Sequence, residues 1–340
     1  MRSAVPSQSK LNAIEMERRD FWREVFSLRG SVTTFVMKRV CVFGLYGALV
    51  WWVANFTHVQ TGLGVAPYEI IGVILTLVLV LRTNSGYDRW YEGRKLWGGI
   101  VNQSRNLAVV GATYGPEDPA WRGAFLRWTA AFPHLARHGL RGERDFSDLG
   151  ELLTTDEIEQ LERAEHPPLF SSLQIARLLQ AARRSNAMDG FAFMRADDQR
   201  AQLIDHIGAC ERILATPLAK VVSIKVRHFI FLYLALLPLA IVDKSGMLTP
   251  FLTMLVAFPL LALDQIGIEL ENPFSVLRLS HLPLGEISGK IQGNVMSLDS
   301  AYDSTLEDDV NDAIVSMQGG NRSPRGSVSE TPHHLASATN

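Results

Sequence analysis

The most restrictive feature of the 340-residue chain is a set of four apolar stretches that are almost free of charged residues. Only a bilayer or a deep protein core offers an apolar surrounding to such runs, and Trp, Pro and Arg at their ends are typical of membrane anchors. The pattern predicts an integral membrane protein with four transmembrane helices. The alternative is a large soluble helical protein, since each run is shorter than the about 20 residues of an isolated membrane helix. The runs cover residues 40–56, 66–81, 229–242 and 247–263.

The placement of basic residues predicts the orientation of these helices. The connection over 57–65 has no Lys or Arg and the turn over 243–246 has one, whereas the segment before the first run is rich in both. Loops rich in Lys and Arg stay on the cytoplasmic side. We therefore expect a multi-pass protein of the cell membrane with both termini and the 83–227 insert in the cytoplasm. The basic residues before the first run are Arg18, Arg19, Arg23, Arg29, Lys38 and Arg39.

Helical periodicity outside the apolar stretches predicts an all-α fold. Aromatic and aliphatic residues recur every three or four positions over 87–101, which predicts a helix that continues from the second span. Thr154 or Thr155 with Glu157 or Ile158 resembles a helix start, 166–168 a break, and 169–184 and 197–214 two further helices. No alternating strand pattern is present.

These patterns divide the chain into six segments. The insert between the second and third spans is expected to be a helical cytosolic domain, and the last segment, without large apolar residues, is expected to be disordered. The segments are 1–32 (N-terminal, cytosolic or interfacial), 33–82 (first two spans), 83–227 (cytosolic domain), 228–265 (last two spans), 266–318 (C-terminal, cytosolic) and 319–340 (tail).

Signatures of enzymes and cofactor sites are missing from the chain. It contains no GxGxxG after a strand, no GxxxxGK[ST], HExxH or GxSxG, and no paired CxxC, so neither an enzyme nor a cofactor is expected. A net charge of −2, with acids and bases interspersed, offers no basic field for nucleic acid. No nucleic-acid partner is therefore expected.

Two groups of ionisable residues leave alternatives open. His134 and His138, four apart in HLARH, could ligate a metal from one helix face, or be two surface histidines; without further ligands nearby, no metal site is expected. Asp264, Glu269 and Glu271 follow the fourth run as a solvated helix end, an ion vestibule or a cation site.

Four segments in a fixed order carry a family resemblance. The longest, RTNSGYDRWYEGRKLWGGIVNQSRNLA over Arg82–Ala108, directly follows an apolar span that begins near Pro67. With the other three, it resembles the bestrophin family, especially its bacterial members, over roughly residues 20–300. The other three are SLRGS at 27–31, CERILATPL at 210–218 and ENPF at 271–274.

The resemblance implies a homopentameric ion channel that conducts chloride and other small anions. It further implies four transmembrane helices and a large helical cytosolic domain in each subunit. In the family, three apolar residues spaced four apart on the second span, the first just before a proline, line a narrow neck. Ala66, Ile70 and Ile74 occupy these positions here, with a small side chain at the outermost one.

The resemblance also implies a second constriction and raises the question of calcium. Family members narrow again at a cytosolic aperture formed by the helix before CERILATPL, for which Leu203 or Ile207 are candidates. Animal bestrophins follow their NPF segment with acids that clasp calcium. Here the sequence continues SVLRLSH, where Arg278 has the wrong charge for a cation ligand. We therefore expect no calcium clasp of the animal type.

Ion selectivity stays open at the level of sequence. An apolar ring does not discriminate by charge, so the charges at the pore mouths decide. Glu69, near the outer end of the second span, favours cations such as sodium or potassium, or is an interfacial side chain that reaches water. The resemblance favours anions, with a monovalent-cation channel and a non-conducting membrane scaffold or sensor as alternatives.

Overall fold

The computed structural model describes residues 32–58, 64–217 and 220–299, and all regular structure in these ranges is helical. The prediction of an all-α protein is therefore confirmed. The sequence features at 1–31, including SLRGS, and the tail over 319–340 lie outside the described residues. The helices are α1 (Thr33–Thr57), α2 (Ala66–Tyr114), α3 (Pro119–Arg141), α4 (Thr155–Arg163), α5 (Pro167–Arg184), α6 (Gly190–Ala215), α7 (Lys220–Ser245), α8 (Thr249–Glu271) and α9 (284–299), with 3₁₀ turns at Ser147–Leu149 and Gly246–Leu248.

Three segments in the described ranges are long and apolar enough to cross a membrane. They are α1, α2 and the stretch Val221–Glu271, which contains both α7 and α8. Arg227 of α7 and Asp264 of α8 are 37 residues apart yet in contact, so the chain reverses between them and the two helices are antiparallel. The predicted helical hairpin is therefore present.

The turn of this hairpin lies slightly later than the sequence pattern predicted. The prediction placed it at 243–246, but α7 continues to Ser245, and the 3₁₀ turn covers Gly246–Leu248. Nothing in 243–245 breaks a helix, whereas Gly246 adopts a φ of +51° without the steric cost that a side chain would add.

Small residues allow the membrane helices to pack closely. A Cβ atom at Gly47 of α1 would lie 3.2 Å from the Cα of Pro250 and 3.0 Å from Thr253 Oγ1, both on α8. On α2, a Cβ at Gly86 would lie 3.3 Å from the carbonyl oxygen of Gly267. Such close backbone approach is the usual means of helix association in lipid, where apolar burial provides no driving force between helices. Helix α8 therefore lies between α1 and α2. We call α1, the apolar first part of α2, α7 and α8 the membrane half.

Helix α2 extends far beyond the membrane half. Its 49 residues correspond to about 73 Å at 1.5 Å per residue. Helix α6 runs antiparallel along it: Arg89 donates to the carbonyl of Thr216, Gln103 to Gln202, and Asn106 to Gln199. The prediction of a helix that continues past the second span is confirmed.

Capping residues explain where the helices between α2 and α7 begin. Thr154 and Glu157 form the capping box that the sequence predicted for α4. The predicted break at 166–168 is instead the start of α5, because His166 caps the helix and proline is favourable in its first turn. Helix α6 begins at Gly190 rather than 197, since the Asp189 carboxylate accepts hydrogen bonds from the first free N–H groups.

A buried carboxylate connects three helices at the end of the apolar part of α2. Asp264 of α8 accepts hydrogen bonds from Arg82 of α2 and, at 3.3 Å, from Arg227 of α7. Both Arg82 and Asp264 are buried. Glu269 is buried as well and accepts hydrogen bonds from Gln265 and the Leu279 backbone N–H. The solvated helix end considered for this acidic group is therefore wrong, because Asp264 and Glu269 have partners inside the fold.

We predict that Asp264→Asn destabilises the protein by about 3–5 kcal/mol, because it leaves the buried Arg82 without a counter-charge. Thermal unfolding of the detergent-purified protein measures this loss. The matched control is Glu159→Gln, which removes one partner of the exposed Glu159–Arg163 pair and should cost no more than about 1 kcal/mol. Equal shifts in the two variants would contradict a structural role for Asp264.

Candidate functional site

The three predicted neck residues lie on one exposed face of α2. Ala66 is exposed, and Ile70 and Ile74 are 65% and 57% exposed. Leu75 and Leu79 of the same helix are buried against the rest of the subunit. Ile70 and Leu79 are nine residues apart, which corresponds to a rotation of about 180° around the helix. Ile70 therefore points away from its own subunit, and Ile74, about 40° further around the helix, is exposed but also lines the groove between α2 and α7.

This exposed face changes character along the helix. It remains apolar through Leu77 and Leu81, both exposed. Beyond them the same side of the helix carries exposed polar residues, which include Asn84, Asp88 and Lys95. The change occurs at the level of the buried Arg82. One helix thus presents an apolar strip and then a polar strip, a surface that several copies could arrange around an axis.

Glu69 is exposed in the first turn of α2. A carboxylate at this position interacts favourably with the positive end of the helix dipole. It is rotated by about 100° from Ile70, so it lies beside the neck face rather than on it. This location fits both a carboxylate that attracts cations at the outer mouth and an interfacial side chain that reaches water.

Leu203 and Ile207, the predicted aperture residues, do not face solvent. They are 0% and 1% exposed and belong to the hydrophobic core that packs α6 on α2. The prediction is wrong for this reason: a side chain enclosed by its own subunit cannot line an opening. The exposed apolar residues near the start of α6 are Phe191 and Met194, at 86% and 68%. The periodicity of α6 marks its buried face, and these two residues fall outside it.

The histidines of HLARH form a buried polar cluster rather than the surface pair considered above. His138 Nε2 lies 2.9 Å from Asp148 Oδ1, and His134 Nδ1 lies 3.8 Å from Asp148 Oδ2. Burial, reinforced by the Arg137 charge, lowers the pKa of His134 below its usual value. Although burial opposes it, hydrogen bonding from Arg137 and His138 lowers the pKa of Asp148. Among the described residues, no three His, Cys, Asp or Glu side chains lie close enough together to hold a metal ion.

Sequence reasoning missed the network of Arg82, Asp264 and Arg227. A signal was present, because an ionisable residue at the end of an otherwise apolar span is expensive and needs a partner. The sequence pattern could not identify Asp264 as that partner, since Arg82 and Asp264 are 182 residues apart in the chain.

We predict that protonation of His134 opposes folding. Its pKa is lower in the folded than in the unfolded chain, so stability falls as the pH drops below about 6.5, where the unfolded histidine binds a proton first. His134→Gln should weaken this dependence in thermal unfolding measured across that range. A second neutral replacement, His134→Asn, should weaken the dependence to the same extent, because both variants remove the titrating imidazole. Identical pH dependence in wild type and His134→Gln would contradict the prediction.

The sequence is similar to one family model and to several curated proteins. The family model described as Bacterial/Fungal Bestrophin protein matches residues 13–297. A voltage-dependent anion channel-forming protein of Nostoc sp. is 33% identical over 287 residues, which cover 83% of this chain and 93% of the relative. A protein of the same description from Mesorhizobium japonicum is 31% identical, covering 79% and 87%.

The fold also matches solved structures. The crystal structure of a bacterial bestrophin homologue from Klebsiella pneumoniae superposes with a TM-score of 0.72 at 22% identity. The match covers 78% of this chain and 98% of the Klebsiella chain. At this level of identity, the comparison establishes a common fold.

Proposed function

Since the chain belongs to the bacterial and fungal bestrophin family, as its motifs predicted, we propose that five copies form a channel for chloride and other small anions. The relatives named above are described as anion channel-forming proteins, which is not an enzyme class. The observation that carries the proposal is the exposed apolar strip of α2, opposite to its buried face. Permeation is passive and involves no chemical step.

Each subunit crosses the membrane four times, through α1, the first part of α2, α7 and α8. The antiparallel pair formed by α7 and α8 supports this count, because it divides the segment Val221–Glu271 into two crossings. An even number of crossings places both termini on the same side, and the basic residues before α1 place that side in the cytoplasm. The protein is thus a multi-pass protein of the cell membrane.

In the assembled channel, Ile70 and Ile74 of each copy form apolar rings around the axis. A hydrophobic constriction of this kind gates by dewetting and favours ions that lose their hydration shell easily. Ala66 forms a wider ring at the outer end, since its side chain is small. Beyond Leu81 the axis is lined by the polar part of α2, which keeps the cytosolic vestibule wet.

A second constriction lies at the far end of α6. Since α6 is antiparallel to α2, its first turns lie near the end of α2, about 55 Å along the helix from Ile74. The exposed Phe191 and Met194 belong to this region and replace Leu203 and Ile207 as the proposed aperture residues.

Charges outside the neck determine which ions pass. Glu69 beside the outer mouth and Asp88 on the polar strip favour cations, whereas Lys95 on the same strip favours anions. The acidic pair makes a monovalent-cation channel the second candidate. The relatives' descriptions and Lys95 support the anion channel.

We predict an anion-selective current from purified protein in planar bilayers. Under a potassium chloride gradient, the reversal potential should shift toward the chloride equilibrium potential and respond to replacement of the anion. A reversal potential near that of potassium would instead establish the cation channel. Absence of current from protein shown to be pentameric would favour the non-conducting scaffold.

We predict that Ile70→Ala together with Ile74→Ala raises the single-channel conductance, because smaller side chains widen the apolar rings and reduce dewetting. The matched control is Ile71→Ala, the same change one residue along α2 and about 100° around it. Ile71 is exposed and lines the groove between α2 and α7 together with Phe229 and Tyr233. Ile74 also lines this groove, whereas Ile70 does not, so the control reports the effect of a change in the groove alone. If the double variant conducts like wild type, the neck lies elsewhere.

A further inference from the structure

An open cleft between α1, α7 and α8 is separate from the proposed neck and the proposed aperture. Its volume is about 430 Å³. Most of its wall is apolar and includes Val42, Phe231 and Leu261. Its remaining lining consists of two guanidinium groups and one carboxylate, from Arg39, Arg227 and Asp264. The cleft thus combines an apolar wall with a strongly charged end.

The charges of the cleft do not balance. Asp264 is the acid of the cleft, and its carboxylate is already shared between the buried Arg82 and Arg227. Within 32–58, 64–217 and 220–299, Arg39 has no acidic residue at ion-pair distance. Helix α1 contains no Asp or Glu, and α7 has its single acid, Asp243, at the opposite end. Among the residues that the structure describes, the lining of the cleft therefore carries an excess of positive charge.

The charged end of the cleft lies at one level of the membrane half. Arg39 is near the start of α1, Arg227 near the start of α7, and Asp264 near the end of α8. Exposed Lys38 and Lys225 flank the two arginines on their helices. In the proposed topology, all of these positions are at the cytoplasmic boundary of the bilayer. Basic pockets between membrane helices at this depth suit anionic lipid headgroups.

We propose that the cleft binds an anionic phospholipid of the cytoplasmic leaflet. The guanidinium groups of Arg39 and Arg227 hold the headgroup phosphate, for which arginine provides matching paired donors. One acyl chain lies against Val42 and Phe231. This assignment goes beyond ion conduction and uses no residue of the proposed neck or aperture.

The surroundings of the cleft favour a lipid over a free anion or a neighbouring subunit. Val42 and Phe231 are exposed and continue into the exposed apolar residues Leu45 and Leu49 of α1, which form a path for an acyl chain. A free phosphate would leave this apolar surface unused. Helix α1 packs on α7 and α8, which pack in turn on α2. With α2 at the axis, α1 is on the outer side, which faces lipid; this last step rests on the proposed function.

Native mass spectrometry of the purified oligomer tests the proposal directly. Phosphatidylglycerol and phosphatidylcholine are titrated separately, and bound lipid is counted for each oligomer. Wild type should retain phosphatidylglycerol in preference to phosphatidylcholine. Arg39→Gln with Arg227→Gln should weaken phosphatidylglycerol binding by roughly thirtyfold, the effect of two positive charges at an anionic surface.

Two further variants separate the roles of charge and shape. Lys244→Gln removes a positive charge from the opposite end of α7, where it is exposed, and should bind phosphatidylglycerol as wild type does. Val42→Trp fills the apolar wall without changing any charge, and it should also reduce lipid binding. The same spectra report the oligomeric state, so a failure of the pentamer is recognised separately from a failure of the lipid site.

Three outcomes would overturn the proposal. The first is equal retention of phosphatidylglycerol by wild type and the double arginine variant. The second is displacement of the lipid by inorganic phosphate with no loss on Val42→Trp, which would make the cleft a site for free anions. The third is dissociation of the oligomer in Arg39→Gln alone, which keeps the hydrogen bond between Arg227 and Asp264 and would make the cleft a subunit interface.

Discussion

The architecture depends on one carboxylate, Asp264, buried where α2, α7 and α8 meet. Three helices that cannot rely on the hydrophobic effect within lipid are held in a defined register by its hydrogen bonds to Arg82 and Arg227. Close contact of Gly86 with the Gly267 backbone, one turn along α2, is possible only in this register. A buried pair adds little net stability compared with apolar packing, yet loss of one member is costly. Its main effect here is to define which residues of α2 and α8 face each other.

That register has a direct consequence for the surface of α2. With Leu75, Leu79 and Arg82 turned toward the subunit, the opposite side of the helix, which carries Ile70 and Ile74, is left exposed. Because α2 is a single helix of 49 residues, its rotation in the membrane half also sets its rotation in the cytosolic half. The proposed neck and the proposed polar vestibule are therefore two parts of one continuous helix surface, and α6 adds the proposed aperture at its far end.

Asp264 also connects this surface to the outside of the subunit. Through Arg82 it contacts the helix that carries the proposed neck, and through Arg227 it contacts the cleft proposed to hold an anionic lipid. One charged network thus connects α2 with this cleft through α7 and α8. The cluster of His134, His138 and Asp148 is separate from this network and packs α3 on the 3₁₀ turn that follows it.

The sequence by itself determined the helices, because periodicity, caps and charge-free runs act within a few residues: a helix start at 154–158 and the continuous helix α2 could be read directly. The structure identified Thr154 and Glu157 as the capping pair. The neck at Ala66, Ile70 and Ile74 is a prediction from their spacing together with the family resemblance. Only the tertiary structure decided which apolar residues are enclosed, as the burial of Leu203 and Ile207 demonstrates. It also decided the pairing of Arg82 with Asp264, across 182 residues. The physical reason is that burial and ion pairing depend on which helix faces are brought together, and no local pattern specifies that.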